Sequence, residues 1–220
     1  GPTGSIISNI LLVILVGDAV SGIRQVPRLL LLAIFIVYNI SFSSSTTSNS
    51  TGVDANYNVV QNNRIIGGYY GIRIYGSSTM HNVGNRFVNN EIDSSYYYGI
   101  YGYYQDSLEV IGNSVNVLSR GNVSSYGIMI YYSENYNLIA NEVHAGYSAM
   151  YLYNYTTYVT SNRAKEVSNN MLHTVGNTSG SSYTMYIYHV DEVNMWNNSI
   201  YDEGTSTTTA SVMIGANTTV

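Results

Sequence analysis

Two histidines sit in equivalent frames, Asn141-Glu142-Val143-His144 and Asn170-Met171-Leu172-His173. Two earlier frames, Asn90-Glu91-Ile92-Asp93 and Asn113-Ser114-Val115-Asn116, put Asp93 and Asn116 at the same position. A histidine pair with an adjoining carboxylate is the smallest set able to exchange a proton with a substrate or to hold a metal ion. His144, His173, Glu142 and Asp93 are therefore the catalytic candidates of this chain. The set is minimal. The same residues read in the first place as a polar stack on a solvated face, and no metal is assigned to them.

A second set suits recognition rather than reaction. Tyr75, Tyr103, Tyr131, Tyr153 and Tyr188 close five related segments, from Gly71-Ile72-Arg73-Ile74-Tyr75 to Thr184-Met185-Tyr186-Ile187-Tyr188. Two places before them stand Arg73, Tyr101, Met129, Tyr151 and Tyr186. Strand alternation turns both sets outward, opposite the aliphatic residues between them. Tyrosine offers a ring to the apolar C–H face of a sugar and a hydroxyl to its hydroxyls. The ligand-binding candidates are thus Tyr75, Tyr103, Tyr131, Tyr153 and Tyr188, with Tyr101, Tyr151 and Tyr186 beside them. Aromatics in register also stabilise one another as cross-strand pairs, about 0.2–1 kcal/mol each. The two roles are compatible.

Both sets depend on a repeating frame. An Asn followed two residues later by an aliphatic recurs at Asn63, Asn90, Asn113, Asn141, Asn170 and Asn198, at spacings of 27, 23, 28, 29 and 28 residues. A period in this range signals a solenoid, a propeller or a repeat array. A four-stranded propeller blade needs a longer repeat with hairpin turns. Here each repeat holds three strands of about five residues and no amphipathic helix, so equivalent residues stack once per coil. The expected fold is all-β, a right-handed parallel β-helix with three short strands per coil of about 22–29 residues. Ile65, Ile92, Val115, Val143, Leu172 and Ile200 point inward, as do Ile72, Ile74, Ile100, Ile128, Ile130, Met150, Leu152, Met185 and Ile187. Each contributes on the order of 1.5–3 kcal/mol when buried. The Asn anchors read as a structural ladder, each amide bonding the Asn of the next coil and each residue adopting the left-handed backbone of a sharp corner.

The Asn-Asn-x-aliphatic and Tyr-Gly-Ile-Tyr signatures resemble right-handed parallel β-helix repeat proteins of the pectin-lyase-like superfamily, particularly secreted bacterial ones with Tyr- and Asn-rich coils. The resemblance covers roughly residues 38–201. It implies an exported protein, secreted or on the cell surface and bacterial, and it raises the prospect of a polysaccharide lyase or glycoside hydrolase. The sequence departs from those enzymes at their active sites. The calcium-binding Asp cluster of the lyases and the Asn-Thr-Asp, Asp-Asp, Gly-His-Gly and Arg-Ile-Lys segments of the hydrolases have no counterpart; Arg73-Ile74 is followed by Tyr75. Fold is not function.

Composition narrows the remaining classes. With 24 Tyr, 20 Gly, two Pro and only 10% charged residues, the chain has a strand-and-turn vocabulary. Its eight Lys plus Arg are scattered and its net charge is −5, which leaves no basic stripe to neutralise phosphates and argues against nucleic acid. No cysteine means no disulfide framework and no thiolate chemistry. No cofactor is expected. The apolar runs at 10–16 and 29–38 are shorter than the roughly 20 residues a membrane-spanning helix needs. Residues 1–37 are expected to form a cap or a first irregular coil, and residues 38–220 the β-helix repeats of a larger protein whose other domains are partners. The leading expectation is a non-catalytic module for glycan binding or surface adhesion through the outward Tyr ladder. The alternatives are a polysaccharide lyase or hydrolase and a structural spacer.

Overall fold

The computed structural model of the chain describes residues 55–118, 121–154, 165–176 and 180–215, together with the backbone of the strand at 38–42. The apolar segment 1–37, expected as a cap, lies outside the described residues. What is described is a parallel β-solenoid of about five turns with no α-helix, built from three parallel sheets. No helix among the described residues is long and apolar enough to cross a membrane.

One sheet is made of the Gly-Ile segments and is called the tyrosine sheet. It runs β1 (Tyr38–Phe42), β4 (Tyr70–Tyr75), β8 (Tyr98–Tyr103), β11 (Tyr126–Tyr131), β14 (Ser148–Tyr153), β17 (Ser182–Tyr188) and β20 (Thr209–Ile214). The strands after each Asn form the histidine sheet: β3 (Arg64–Ile66), β7 (Glu91–Asp93), β10 (Ser114–Asn116), β13 (Glu142–Ala145), β16 (Met171–Thr174) and β19 (Ser199–Asp202). The strands before each Asn form the third: β2 (Val59–Gln61), β6 (Arg86–Val88), β9 (Gln105–Ile111), β12 (Glu134–Ile139), β15 (Lys165–Ser168) and β18 (Val193–Trp196), with β5 (Asn82–Val83) paired to β9. Every strand therefore hydrogen-bonds to its equivalent one coil away, never to its sequence neighbour.

The three inner faces share one core. Ile72, Ile100, Ile128, Met150 and Met185 stack along the tyrosine sheet, Ile92, Val115 and Val143 along the histidine sheet, and Phe87, Val110, Leu138 and Val167 along the third, each 1% exposed or less. Ile200, in the last coil of its sheet, is only half-buried because no coil follows it among the described residues. One inward position carries a charge-bearing side chain. Lys165 falls in register with Val193 and is fully buried, its Nζ donating to the Asp191 carbonyl at 2.8 Å. Burial pushes its ammonium below the ordinary range, against the pull of Asp191, Glu192 and Glu134.

The Asn ladder is internal. In each coil the anchor's Nδ2 donates to the Oδ1 of the next anchor, at 3.2 Å from Asn63 to Asn90, 2.9 Å to Asn113, 3.0 Å to Asn141, 3.0 Å to Asn170 and 2.9 Å to Asn198. Its backbone N–H donates to that same oxygen, as from Asn90 to Asn113 at 3.0 Å. A further Nδ2 hydrogen reaches a strand carbonyl, Phe87 O in the case of Asn113. The expected left-handed backbone is one residue off. The positive φ values belong to the residues before the anchors, Asn62, Asn89, Gly112, Ala140, Asn169 and Asn197, at 52–65°. The preceding residue makes the corner so that the anchor itself can aim its amide into the core.

A second polar ladder lines the corner after the tyrosine sheet, built of Gln105, Ser133 and Asn154, all buried. The Gln105 N–H donates to Ser133 Oγ and the Ser133 N–H to Asn154 Oδ1, both at 3.0 Å. Three different residue types share this role, so no repeated letter marks it in the sequence. On the outer faces, Arg64–Glu91 at 3.0 Å and Arg86–Glu109 at 2.6 Å pair between neighbouring coils, and being exposed are worth at most about 1 kcal/mol each.

Candidate functional site

The outer face of the tyrosine sheet is an aromatic pavement. Register places Tyr75, Tyr103, Tyr131, Tyr153 and Tyr188 in one column. Their ring centroids lie 4.4, 5.8, 4.9 and 5.4 Å apart along the stack. Beside it run Arg73, Tyr101, Met129, Tyr151 and Tyr186, with Tyr151 and Tyr186 stacked at 4.4 Å. A third column, Tyr70, Tyr98 and Tyr126, is stacked at 4.9 and 5.5 Å. Tyr69 and Tyr97 add a stacked pair at 5.4 Å where the coil enters the sheet.

The third column escapes a strict alternation argument, which sends Tyr70 inward with Ile72 and Ile74. The alternation breaks at the glycine. A Cβ on Gly71 would collide with the Ile92 side chain inside the core, so Gly71 and Ile72 both face in and Tyr70 is thrown out against Tyr101. Gly99 and Gly127 stand in the same way against Val115 and Val143. Tyr-Gly-Ile is thus a bulge signature rather than a plain strand, and the glycine in its centre was the signal available in the sequence.

The pavement is outward but not openly exposed. All eight candidate tyrosines are half-buried, while Arg73 and Met129 are only 3% and 5% exposed. Both had been expected on an open flank. Arg73 is roofed instead by neighbouring rings, its guanidinium lying 4.7 Å from the Tyr75 centroid and 5.7 Å from that of Tyr70. Because near-parallel rings stack along the solenoid, each covers the face of the next, and what remains for a partner is ring edges and hydroxyls. The Tyr151 ring is stacked on those of Tyr131 and Tyr186, with centroids 5.9 and 4.4 Å away.

Burial, and then the nearness of other phenols, raises the pKa of Tyr98, Tyr101, Tyr103, Tyr126 and Tyr151; burial also raises those of Tyr131 and Tyr186. These hydroxyls stay protonated and serve as donors and acceptors together. The sign of the linkage follows. An acid whose folded pKa exceeds its unfolded value of about 10 stabilises the fold fully below pH 10 and loses that contribution as pH rises above it. The phenolate absorbance of these raised tyrosines should therefore appear together with the loss of circular dichroism, in one cooperative step at alkaline pH. Gradual ionisation of most tyrosines at constant dichroism would mean that the pavement is not packed.

The histidine sheet carries the other candidates. Register aligns Asp93, Asn116, His144 and His173, followed by Tyr201. His144 and His173 meet, Nδ1 to Nδ1, at 3.0 Å. Glu142 Oε1 is 3.2 Å from His144 Nε2, and Glu203 Oε1 is 2.9 Å from His173 Nε2. Asp93 is not part of this group: Asn116 separates it from His144, which puts it two rungs of about 4.8 Å away. Glu203 was not among the candidates, since it follows β19 and only the coil winding brings it to His173. No group of three or more His, Cys, Asp or Glu among the described residues is placed to hold a metal ion.

No protein-family model, curated protein or solved structure matches this chain. The site must be read from its geometry.

Proposed function

We propose that the chain is an exported, non-catalytic β-helical module that binds a polysaccharide or cell-surface glycan along the outer face of the tyrosine sheet. The observation carrying this reading is a row of tyrosine side chains that repeats once per coil over five coils. A rung repeat of about 4.8 Å sets hydroxyls in regular succession, which suits a polymer of repeating hydroxyl-rich units better than a small ligand. With ring faces engaged by one another, recognition runs through hydroxyls and ring edges. The resemblance to secreted pectin-lyase-like β-helices supports export and a carbohydrate partner; the absence of their acidic active-site segments from the sequence supports binding without turnover.

This predicts a particular mutational pattern on a polysaccharide array. Tyr131→Phe removes a hydroxyl and keeps the stack, so on a glycan that the wild type retains it should weaken binding about as much as Tyr131→Ala, on the order of 1–2 kcal/mol or 5–30-fold. Tyr153→Phe should behave alike. Full retention by both phenylalanine variants with loss in the alanine variants would return the contact to ring faces. Reducing or unsaturated ends appearing in the same wells would instead favour a lyase or hydrolase, for which the meeting of His144, His173 and Glu142 is the specific motive. Neither binding nor product would leave a spacer.

A further inference from the structure

We propose that His144 and His173 form a two-histidine site for a late first-row divalent cation, with Cu(II) or Ni(II) the best fit, on the outer face of the histidine sheet. The argument begins with hydrogen positions. Each Nε2 faces a carboxylate, Glu142 at 3.2 Å and Glu203 at 2.9 Å, and a carboxylate accepts, so each Nε2 carries a hydrogen. In the neutral rings the remaining Nδ1 lone pairs then confront one another across 3.0 Å. Two lone pairs at that separation call for a cation bound to both. A proton meets the demand only by charging one ring; a metal ion meets it with both rings neutral.

The surroundings match what a metal-binding imidazole requires. Donation of the distal N–H to a carboxylate fixes the tautomer and raises the basicity of the ligating nitrogen, and here both rings have it. His173 is held further by stacking on Tyr201, centroids 5.2 Å apart and planes 25° from parallel. The rings are reachable, with side-chain exposures of 36% for His144 and 23% for His173. With metal–nitrogen bonds of about 2.0–2.1 Å, a 3.0 Å nitrogen separation subtends roughly 90–97° at the metal. That is a cis edge of a square plane or octahedron, the geometry of Cu(II) and Ni(II), and is tighter than a tetrahedral Zn(II) angle. Water completes the coordination shell. Asn116 lies on the rung beyond His144, and Asp93, one rung further, is out of reach.

The test is titration of the full chain with Cu(II), followed by calorimetry and by electron paramagnetic resonance. The wild type should take up one equivalent with hyperfine structure from two imidazole nitrogens. His144→Ala and His173→Ala should each remove one of the two and weaken binding at least tenfold, and Glu203→Gln should weaken it about tenfold through the loosened His173. Affinity should fall as pH is lowered, since protons compete for Nδ1. A wild-type spectrum lacking two imidazole nitrogens overturns the proposal without recourse to any variant. So does unchanged affinity in folded His144→Ala, or failure of the wild type to bind at all.

Discussion

Asn113→Leu should cost the fold about 2–9 kcal/mol, the sum of two or three buried polar groups stranded at roughly 1–3 kcal/mol each. The amide of Asn113 is the hub of five contacts. Its Oδ1 accepts from Asn90 N–H and Asn90 Nδ2 at 3.0 and 2.9 Å, and its Nδ2 donates to Asn141 Oδ1 at 3.0 Å, Phe87 O at 2.8 Å and Ile111 O at 3.2 Å. Leucine matches the volume and none of the chemistry. The damage should spread to both neighbouring coils, because the groups left unpaired belong to them. Chemical denaturation will measure the loss, and amide hydrogen exchange should show lost protection centred on Asn90 and Asn141. A variant within 1 kcal/mol of wild type would mean that the ladder is incidental to stability.

Gly127→Val should be at least as damaging, preventing the native register between β11 and β14. A Cβ at this position would overlap the Val143 side chain and stand 2.6 Å from the Ala149 carbonyl oxygen. Neither can yield: Val143 is fully buried, and the carbonyl belongs to the backbone of the adjacent strand. Overpacking of a well-packed core costs about 1–3 kcal/mol before any hydrogen bond is broken, and valine adds two methyl groups beyond the Cβ. The next coil shows the limit of tolerance, carrying Ala149 where β11 has Gly127. Gly127→Ala should thus be milder than Gly127→Val. Gly121 provides a contrast, since its φ is +66° but nothing lies within 4 Å of an added Cβ. Gly121→Ala should cost only about 1 kcal/mol, the left-handed backbone penalty. Thermal melts of the three variants give the order, and equal stability of Gly127→Val and wild type would refute the packing argument.

These two positions also mark how far the sequence could be read. Asn113 was legible because a buried amide ladder needs the same residue in every coil, and repetition of one letter at 23–29 residues is visible without coordinates. The same repetition placed the inward aliphatics and aligned Asp93, Asn116, His144 and His173 on one row. Gly127 was legible as a repeated letter but not in its meaning. That its missing side chain makes room for Val143 depends on how closely the histidine and tyrosine sheets approach, a distance that no spacing encodes. The hidden turn from Gly71 to Tyr70 has the same origin, as does the burial of Arg73 and Met129, which alternation alone leaves exposed.

The sequence by itself determined the coil, its three strands, its internal Asn ladder and the residues that share a rung, because in a solenoid contacts follow from the period and the pleat. Only the tertiary structure decided what lies between rungs and across corners. It turned the corner at Asn62 and its equivalents rather than at the anchors, closed the tyrosine faces on one another so that hydroxyls are left to a partner, and brought Glu203 to His173. Each of these is set by side-chain direction and inter-sheet distance, which depend on the packing of the whole coil and not on the position of any residue along the chain.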